Sequence, residues 1–276
     1  MSRVTTSTLR SMKDRGEKIT VLTAYDYTMA RLLDQTGVEI LLVGDSLGMV
    51  MLGYDSTIPV TLADILHHTR AVARGTQKAM VLADMPFLSY HTSLEESVRN
   101  AGILMQQGGA QAVKLEGGKE IVPVIEKLVI SGIPVMGHLG LTPQQVHQMG
   151  GYSVQGKSED TARKIIDDAK AIEAAGVFAV VLECIPYQLA EIVSKELKIP
   201  TIGIGAGAGC DGQVLVTHDL LGMYQDLAPK FVKRYGQLGE SLKDAVREYI
   251  SEVKGGVFPA REHSFTMAED EIKKLY

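Results

Sequence analysis

The feature that most limits the fold is an alternation carried along most of the chain. A short aliphatic run is followed by a glycine-rich or polar break, then by a segment with the apolar spacing of an amphipathic helix. The runs start at Ile19-Thr-Val-Leu-Thr-Ala and return at Ile40-Leu-Leu-Val, Ala79-Met-Val-Leu-Ala and Ala112-Val-Lys-Leu. Further runs follow at Ile133-Pro-Val-Met-Gly, Phe178-Ala-Val-Val-Leu and Ile199-Pro-Thr-Ile-Gly-Ile, with an eighth expected at Phe231-Val-Lys-Arg-Tyr. Strands this uniformly apolar belong to parallel sheets covered on both faces.

The intervening segments have readable helix ends. Ser93-Leu-Glu-Glu96 shows the capping-box spacing, and Gly108-Gly109 stops that helix. Thr142-Pro143 puts a cap before a proline at the first helical position. Ser158 opens a helix with Ile165, Ile166, Ala169 and Ile172 along one face, ending at Gly176. Eight strands alternating with helices favour a closed (β/α)8 barrel over a doubly wound sheet. The 276 residues suffice for one such barrel, and no linker-like stretch divides them. The expectation is a single domain over 1–276, with an irregular insertion at 210–230 and an irregular tail from about residue 255.

Composition narrows the function classes. A formal net charge of −5 argues against a nucleic-acid surface, which needs clustered Lys and Arg. Two cysteines, Cys184 and Cys210, make no disulfide scaffold and suit a reducing compartment. The first ten residues lack the apolar core of a signal peptide, and no stretch is apolar enough to span a bilayer. A cytoplasmic protein with no membrane partner is expected.

In a barrel, the C-terminal ends of the strands share one rim, so the residues there are the test of function. They are Tyr25-Asp26, Asp45-Ser46, Asp84, Lys114 with Glu116, His138 and Glu183. Asp26 reads best as the cap of the next helix. Asp45 and Asp84 fit that reading less well, and two carboxylates on one rim suit a hard divalent cation such as Mg²⁺. Lys114 and Glu116, two apart on a strand, share a face. They are either a structural ion pair or a functional one, with Glu116 serving the metal directly or through water and Lys114 an anionic substrate. His138 is either a satisfied core histidine or a site residue. His67-His68 and His218-Asp219 read as solvated or capping groups. Glu183, partly desolvated at its strand end, is a candidate general base. The run Gly203-Ile-Gly-Ala-Gly-Ala-Gly209 is either a phosphate loop or a close backbone approach. Together these groups describe metal-assisted proton removal next to the carbonyl of a 2-oxo acid.

The same residues carry a resemblance. Thr23–Tyr27, Leu42–Val50, Gly53–Thr57, Ala83–Phe87, Val113–Gly118, Gly137–Gln144, Leu182–Cys184, Ile202–Gly207 and Phe258–Phe265 resemble, in order, the motifs of the ketopantoate hydroxymethyltransferase family. The resemblance implies a phosphoenolpyruvate/pyruvate-type metal-dependent barrel that transfers a hydroxymethyl group from 5,10-methylenetetrahydrofolate to 3-methyl-2-oxobutanoate. It implies Mg²⁺ on Asp45 and Asp84 with Glu116 completing the site. It assigns Asp45, Ser46, Asp84, Lys114 and His138 to the oxo acid and gives Glu183 the role of proton acceptor. It also implies a homodecamer built as a pentamer of dimers. A related metal-dependent lyase or mutase on a small 2-oxo acid is one alternative. A non-catalytic binding barrel is the other, but that would leave the strand ends mostly neutral.

Overall fold

The computed structural model describes residues 3–226 and 229–276. Two compact units divide the chain: Met1–Thr217 with Pro229–Val232, and His218–Ala228 with Lys233–Tyr276.

The first unit holds the expected barrel. After α1 (Thr6–Asp14) come β1 (Ile19–Thr23), α2 (Tyr27–Thr36), β2 (Ile40–Val43), the one-turn α3 (Leu47–Val50) and α4 (Leu62–Gly75). Then follow β3 (Met80–Asp84), α5 (Leu94–Gln106), β4 (Ala112–Glu116), α6 (Val122–Ile130) and β5 (Val135–Gly140). A short α7 (Val146–Met149), α8 (Glu159–Ala174), β6 (Ala179–Glu183), α9 (Tyr187–Glu196), β7 (Thr201–Ile204) and β8 (Gly212–Leu215) complete it. The eight strands among the described residues are all parallel, and β8 pairs with β1 to close the ring.

Strand alternation separates two cores. Ile19, Val21, Ile40, Leu42, Met80, Leu82, Ala112, Met136, Ala179, Val181, Ile202 and Val214 form the barrel interior. Leu9 and Met12 of α1 join them and close the floor. Intervening residues such as Leu41, Val81, Val113 and Val180 pack outward against Ile65, Leu104, Ile125 and Ile172 of the helices. Buried Asp34 at the end of α2 accepts the amides of Gln77, Lys78 and Ala79, which ties that helix to the start of β3.

The eighth strand corrects the sequence expectation. It is Gly212–Leu215, inside the stretch expected to be an irregular insertion; Phe231–Tyr235 forms no strand. The cause lies in the preceding connection. No helix separates β7 from β8, so the alternation lapses, and β8 itself begins Gly-Gln and exposes Gln213. The glycine run supplies the crossover. A Cβ at Gly207 would lie 2.4 Å from Tyr187 Cβ, and one at Gly209 would lie 2.2 Å from Glu191 Cγ, so the loop lies flat against α9. With Gly205 and Gly207 at φ of 62° and 80°, these glycines answer to close backbone approach. Phe231 packs against Gly205 in this arrangement.

Helix ends follow the local chemistry. Ser93 Oγ accepts from the Glu96 amide, but the Glu96 carboxylate turns to Thr92, so the expected box is half made. Ser158 makes its box with Thr161. Thr142 makes no cap bond and leads into a 3₁₀ turn, Pro143–Gln145. The boundary between the units falls in α10 (Thr217–Leu220). The second unit contains α11 (Leu238–Gly255), which has no buried residue, and α12 (Glu269–Ile272) between short 3₁₀ turns. Among the described residues, no helix is long and apolar enough to cross a membrane.

Candidate active site

The polar groups are the uppermost inward side chains of strands that begin with apolar inward positions. Up β3 these are Met80, Leu82 and Asp84; up β4, Ala112, Lys114 and Glu116; up β5, Met136 and His138; up β6, Ala179, Val181 and Glu183. Register then sets neighbours side by side, Asp84 with Lys114 and Glu116 with His138.

A continuous chain of contacts results. Lys114 Nζ lies 2.8 Å from Asp84 Oδ1 and 3.9 Å from Glu116 Oε1. Glu116 Oε1 is 3.1 Å from His138 Nδ1, and His138 Nε2 is 3.1 Å from Glu183 Oε2. On the other flank the Asp45 amide donates to Asp84 Oδ2 at 3.0 Å. The Asp45 carboxylate caps no helix; its Oδ2 accepts from Gln144 Nε2 at 2.8 Å. Ser46 Oγ shares a 2.9 Å hydrogen bond with the Tyr25 hydroxyl. A Cβ on Gly44 would sit 2.9 Å from Ser46 Oγ and 3.4 Å from Asp84 Oδ2, so glycine lets these two groups converge. Past Glu183 the chain turns through Cys184, held at φ 47°, in the left-handed region that non-glycine residues rarely adopt.

Charge in this buried cluster is unbalanced. Burial, then repulsion from Asp84 and Glu116, holds the Asp45 carboxyl well above its ordinary range despite Lys114 and Gln144. Burial also raises Asp84, against the pull of Lys114 and the Asp45 amide. For Glu116, burial is outweighed by His138, Lys114 and the Gln144 amide, and the pKa falls. Burial and Lys114 push His138 down, but Glu116 and Glu183 prevail and raise it to about 9. Lys114 is raised as well, because Asp84, Glu116 and Asp45 overcome its burial. The carboxylates Asp45, Asp84, Glu116 and Glu183 thus face two cationic side chains, Lys114 and His138.

That surplus of carboxyl groups over cationic partners, all of them hard oxygen donors, fits a divalent cation. The carboxylates are not gathered into a finished cage: among the described residues no three His, Cys, Asp or Glu side chains form a metal-binding group. Asp84 is engaged by Lys114 and Glu116 by His138.

Of the other sequence candidates, Asp26 caps α2 through the Met29 amide, and His68 Nδ1 binds the Tyr25 carbonyl at 2.6 Å. His218 lies in the second unit. Sequence reasoning missed Gln144, Tyr90 and Tyr152. Gln144 closes the Gly137–Gln144 stretch that carries the family resemblance, which assigns it no role. Buried Tyr90 hydrogen-bonds both Gln144 and the Glu116 backbone. The Tyr152 hydroxyl is pushed up by partial burial and by the charges of Asp45, Glu183 and Glu116. It sits in a loop with left-handed Gly150 and Gly151, and the following Gln155 amide is pinned to the Cys184 carbonyl at 2.9 Å.

A closed parallel barrel with acid, base and cation groups converging on its strand ends defines a (β/α)8-barrel enzyme. The family profile for ketopantoate hydroxymethyltransferase matches residues 3–261. A 3-methyl-2-oxobutanoate hydroxymethyltransferase of Syntrophus aciditrophicus (strain SB) is 62% identical over 263 residues, covering 95% of this chain and 97% of that protein. One from Carboxydothermus hydrogenoformans is 57% identical over 276 residues, covering 100% of both. The chain belongs to the ketopantoate hydroxymethyltransferase family and is a transferase. Among solved structures, phosphonopyruvate hydrolase in complex with oxalate and Mg²⁺ aligns with a TM-score of 0.61 at 14% identity, covering 94% of this chain and 93% of that one. A 2,3-dimethylmalate lyase of the PEP mutase/isocitrate lyase superfamily gives 0.60 at 16%, covering 100% and 95%. These likenesses extend to the fold.

Proposed function

We propose that this chain transfers a hydroxymethyl group from 5,10-methylenetetrahydrofolate to 3-methyl-2-oxobutanoate, giving 2-dehydropantoate and tetrahydrofolate, the first step of pantothenate and coenzyme A synthesis. The observation that carries the reading is the buried chain from Asp84 through Lys114, Glu116 and His138 to Glu183, with Asp45 attached. Family membership supports the choice of substrate.

Asp45 and Asp84 would hold Mg²⁺, with Glu116 supporting the site. Bound there, the cation supplies a Lewis acid to the 2-oxo group and eases loss of the adjacent proton. Lys114 binds the carboxylate of the oxo acid, Ser46 and His138 orient it, and the strand-end rim restricts water. Glu183 takes the C3 proton on its carboxylate, while His138 Nε2, 3.1 Å from Oε2, keeps that carboxylate aimed inward. Water cleaves both C–N bonds of the folate's methylene group, its two hydrogens going to N5 and N10 of tetrahydrofolate and its oxygen to the one-carbon unit. The carbanionic C3 bonds that carbon, and the proton held on Glu183 passes to the oxygen, which becomes the hydroxyl of the product. A cytoplasmic location and a homodecamer, a pentamer of dimers, belong to the same reading.

The test is a turnover assay with the oxo acid, methylenetetrahydrofolate and Mg²⁺. The expected result is 2-dehydropantoate and tetrahydrofolate in equal amounts, abolished by EDTA and restored by added Mg²⁺. Product formed at full rate in EDTA would remove the metal from the scheme, and no product at all would remove the reaction.

A further inference from the structure

Two carboxylates of the site, Asp45 just past the end of β2 and Glu116 at the end of β4, depend on one residue outside every strand. Gln144 lies in the 3₁₀ turn after β5 and is 3% exposed. Its side-chain Nε2 donates to Asp45 Oδ2 at 2.8 Å and to the Met85 carbonyl at 3.0 Å. Its backbone N–H donates to Glu116 Oε2 at 3.1 Å. The Tyr90 hydroxyl, itself buried, donates to Gln144 Oε1 at 2.8 Å and accepts from the Glu116 amide at 3.1 Å.

These partners settle which way the carboxamide points. Its oxygen faces a hydroxyl donor and its nitrogen faces a carbonyl and a carboxylate; the flipped amide would set oxygen against two acceptors. Asp45 Oδ2 is therefore held by a donor that cannot turn away, and Oδ1 remains the oxygen that Gln144 does not engage. Glu116 is held at both ends, by His138 Nδ1 on Oε1 and by the Gln144 amide on Oε2. A carboxylate without such donors would be free to rotate, and a rotated carboxylate no longer presents the same oxygen to a cation.

We propose that Gln144 is a positioning residue for the cation and oxo-acid site, fixing Asp45 through its carboxamide and Glu116 through its backbone amide. The inference rests on the metal-dependent reading above. Partners that orient metal-holding carboxylates commonly contribute about 10–100-fold to metal affinity. A residue that merely filled space would contribute to folding and leave that affinity alone.

The experiment is a Mn²⁺ titration of the full chain, without substrate, followed by the EPR signal of free Mn²⁺. Gln144→Met keeps the chain length and the backbone donor to Glu116 but removes the carboxamide. Its expected Mn²⁺ affinity is about 10–100-fold below wild type. Tyr90→Phe leaves Gln144 in place, removes the hydroxyl that orients it, and is expected to lose a smaller factor. At saturating Mn²⁺, hydrogen exchange on the oxo acid should recover toward the wild-type rate in both variants, so the defect appears in cation requirement. Wild-type Mn²⁺ affinity in folded Gln144→Met overturns the inference. Should that variant not fold, unchanged affinity in Tyr90→Phe overturns it equally. A wild-type protein that binds no Mn²⁺ overturns the metal-dependent reading, and this inference with it, so the wild-type titration tells the two failures apart.

Discussion

Replacing Glu183 with glutamine is expected to slow exchange of the C3 hydrogen of 3-methyl-2-oxobutanoate by about 10²–10⁴-fold, the usual contribution of a positioned general base. Glutamine keeps the shape of the side chain and can stay beside His138 Nε2, which lies 3.1 Å from Oε2. What it cannot do is take a proton. The site that binds the oxo acid, formed by Lys114, Ser46 and His138 in this reading, is untouched, so the affinity for the acid should stay near wild type. Proton NMR in D₂O measures the exchange, and calorimetric titration measures the binding. Exchange near the wild-type rate in this variant would take the role of base away from Glu183.

The second large effect is on stability. Lys114→Met should lower the unfolding free energy by about 3–5 kcal/mol, the cost of removing one partner from a buried ion pair. Lys114 is 5% exposed, and its ammonium is the cation nearest Asp84, at 2.8 Å, with Glu116 at 3.9 Å. Methionine preserves the apolar stem but strands the Asp84 carboxylate beside Asp45. Adding Asp84→Asn to the same protein should restore part of the loss, since the orphaned charge goes with it. Denaturant unfolding of both variants measures this. A Lys114→Met midpoint equal to wild type would mean that the cluster is not electrostatically coupled as described.

Much of this site was legible because strand geometry is strict. Lys114 and Glu116 had to share a face, Asp84 and Glu183 each end an apolar strand on its inward side, and His138 lies two residues before the end of β5. The barrel rule then brought them to one rim. The bland reading of Asp26 as a helix cap was also sound, because a carboxylate before Tyr27-Thr-Met-Ala has free amides to accept. What failed did so for physical reasons. β8 was overlooked because Gly212-Gln-Val-Leu has only two apolar residues and no helix before it, so neither composition nor spacing announces a strand. The apolar Phe231-Val232 pair imitated one, yet it forms no strand, and Phe231 packs on the Gly205 turn.

Gln144 was overlooked for a different reason. Its importance comes from Tyr90, Asp45 and Glu116, partners 54, 99 and 28 residues away. A glutamine after Thr-Pro looks like any first helical turn, and only the closed barrel shows that this turn dips back toward the carboxylates. Tyr152 likewise sits in a glycine-rich loop whose path is set by the Gln155–Cys184 backbone bond. Residues on strands or within a few positions of their ends were readable from period; Gln144 and Tyr152, which return from farther along the loops, were not.

The account turns on one event, removal of the C3 proton of a 2-oxo acid at the Asp45–Glu183 rim before any folate is involved. Proton NMR of 3-methyl-2-oxobutanoate in D₂O, with the wild-type protein and Mg²⁺ but no folate, follows that event directly. The predicted result is steady loss of the C3 proton signal and collapse of the methyl doublet, stopped by EDTA. An unchanged spectrum at saturating oxo acid and Mg²⁺ would contradict it.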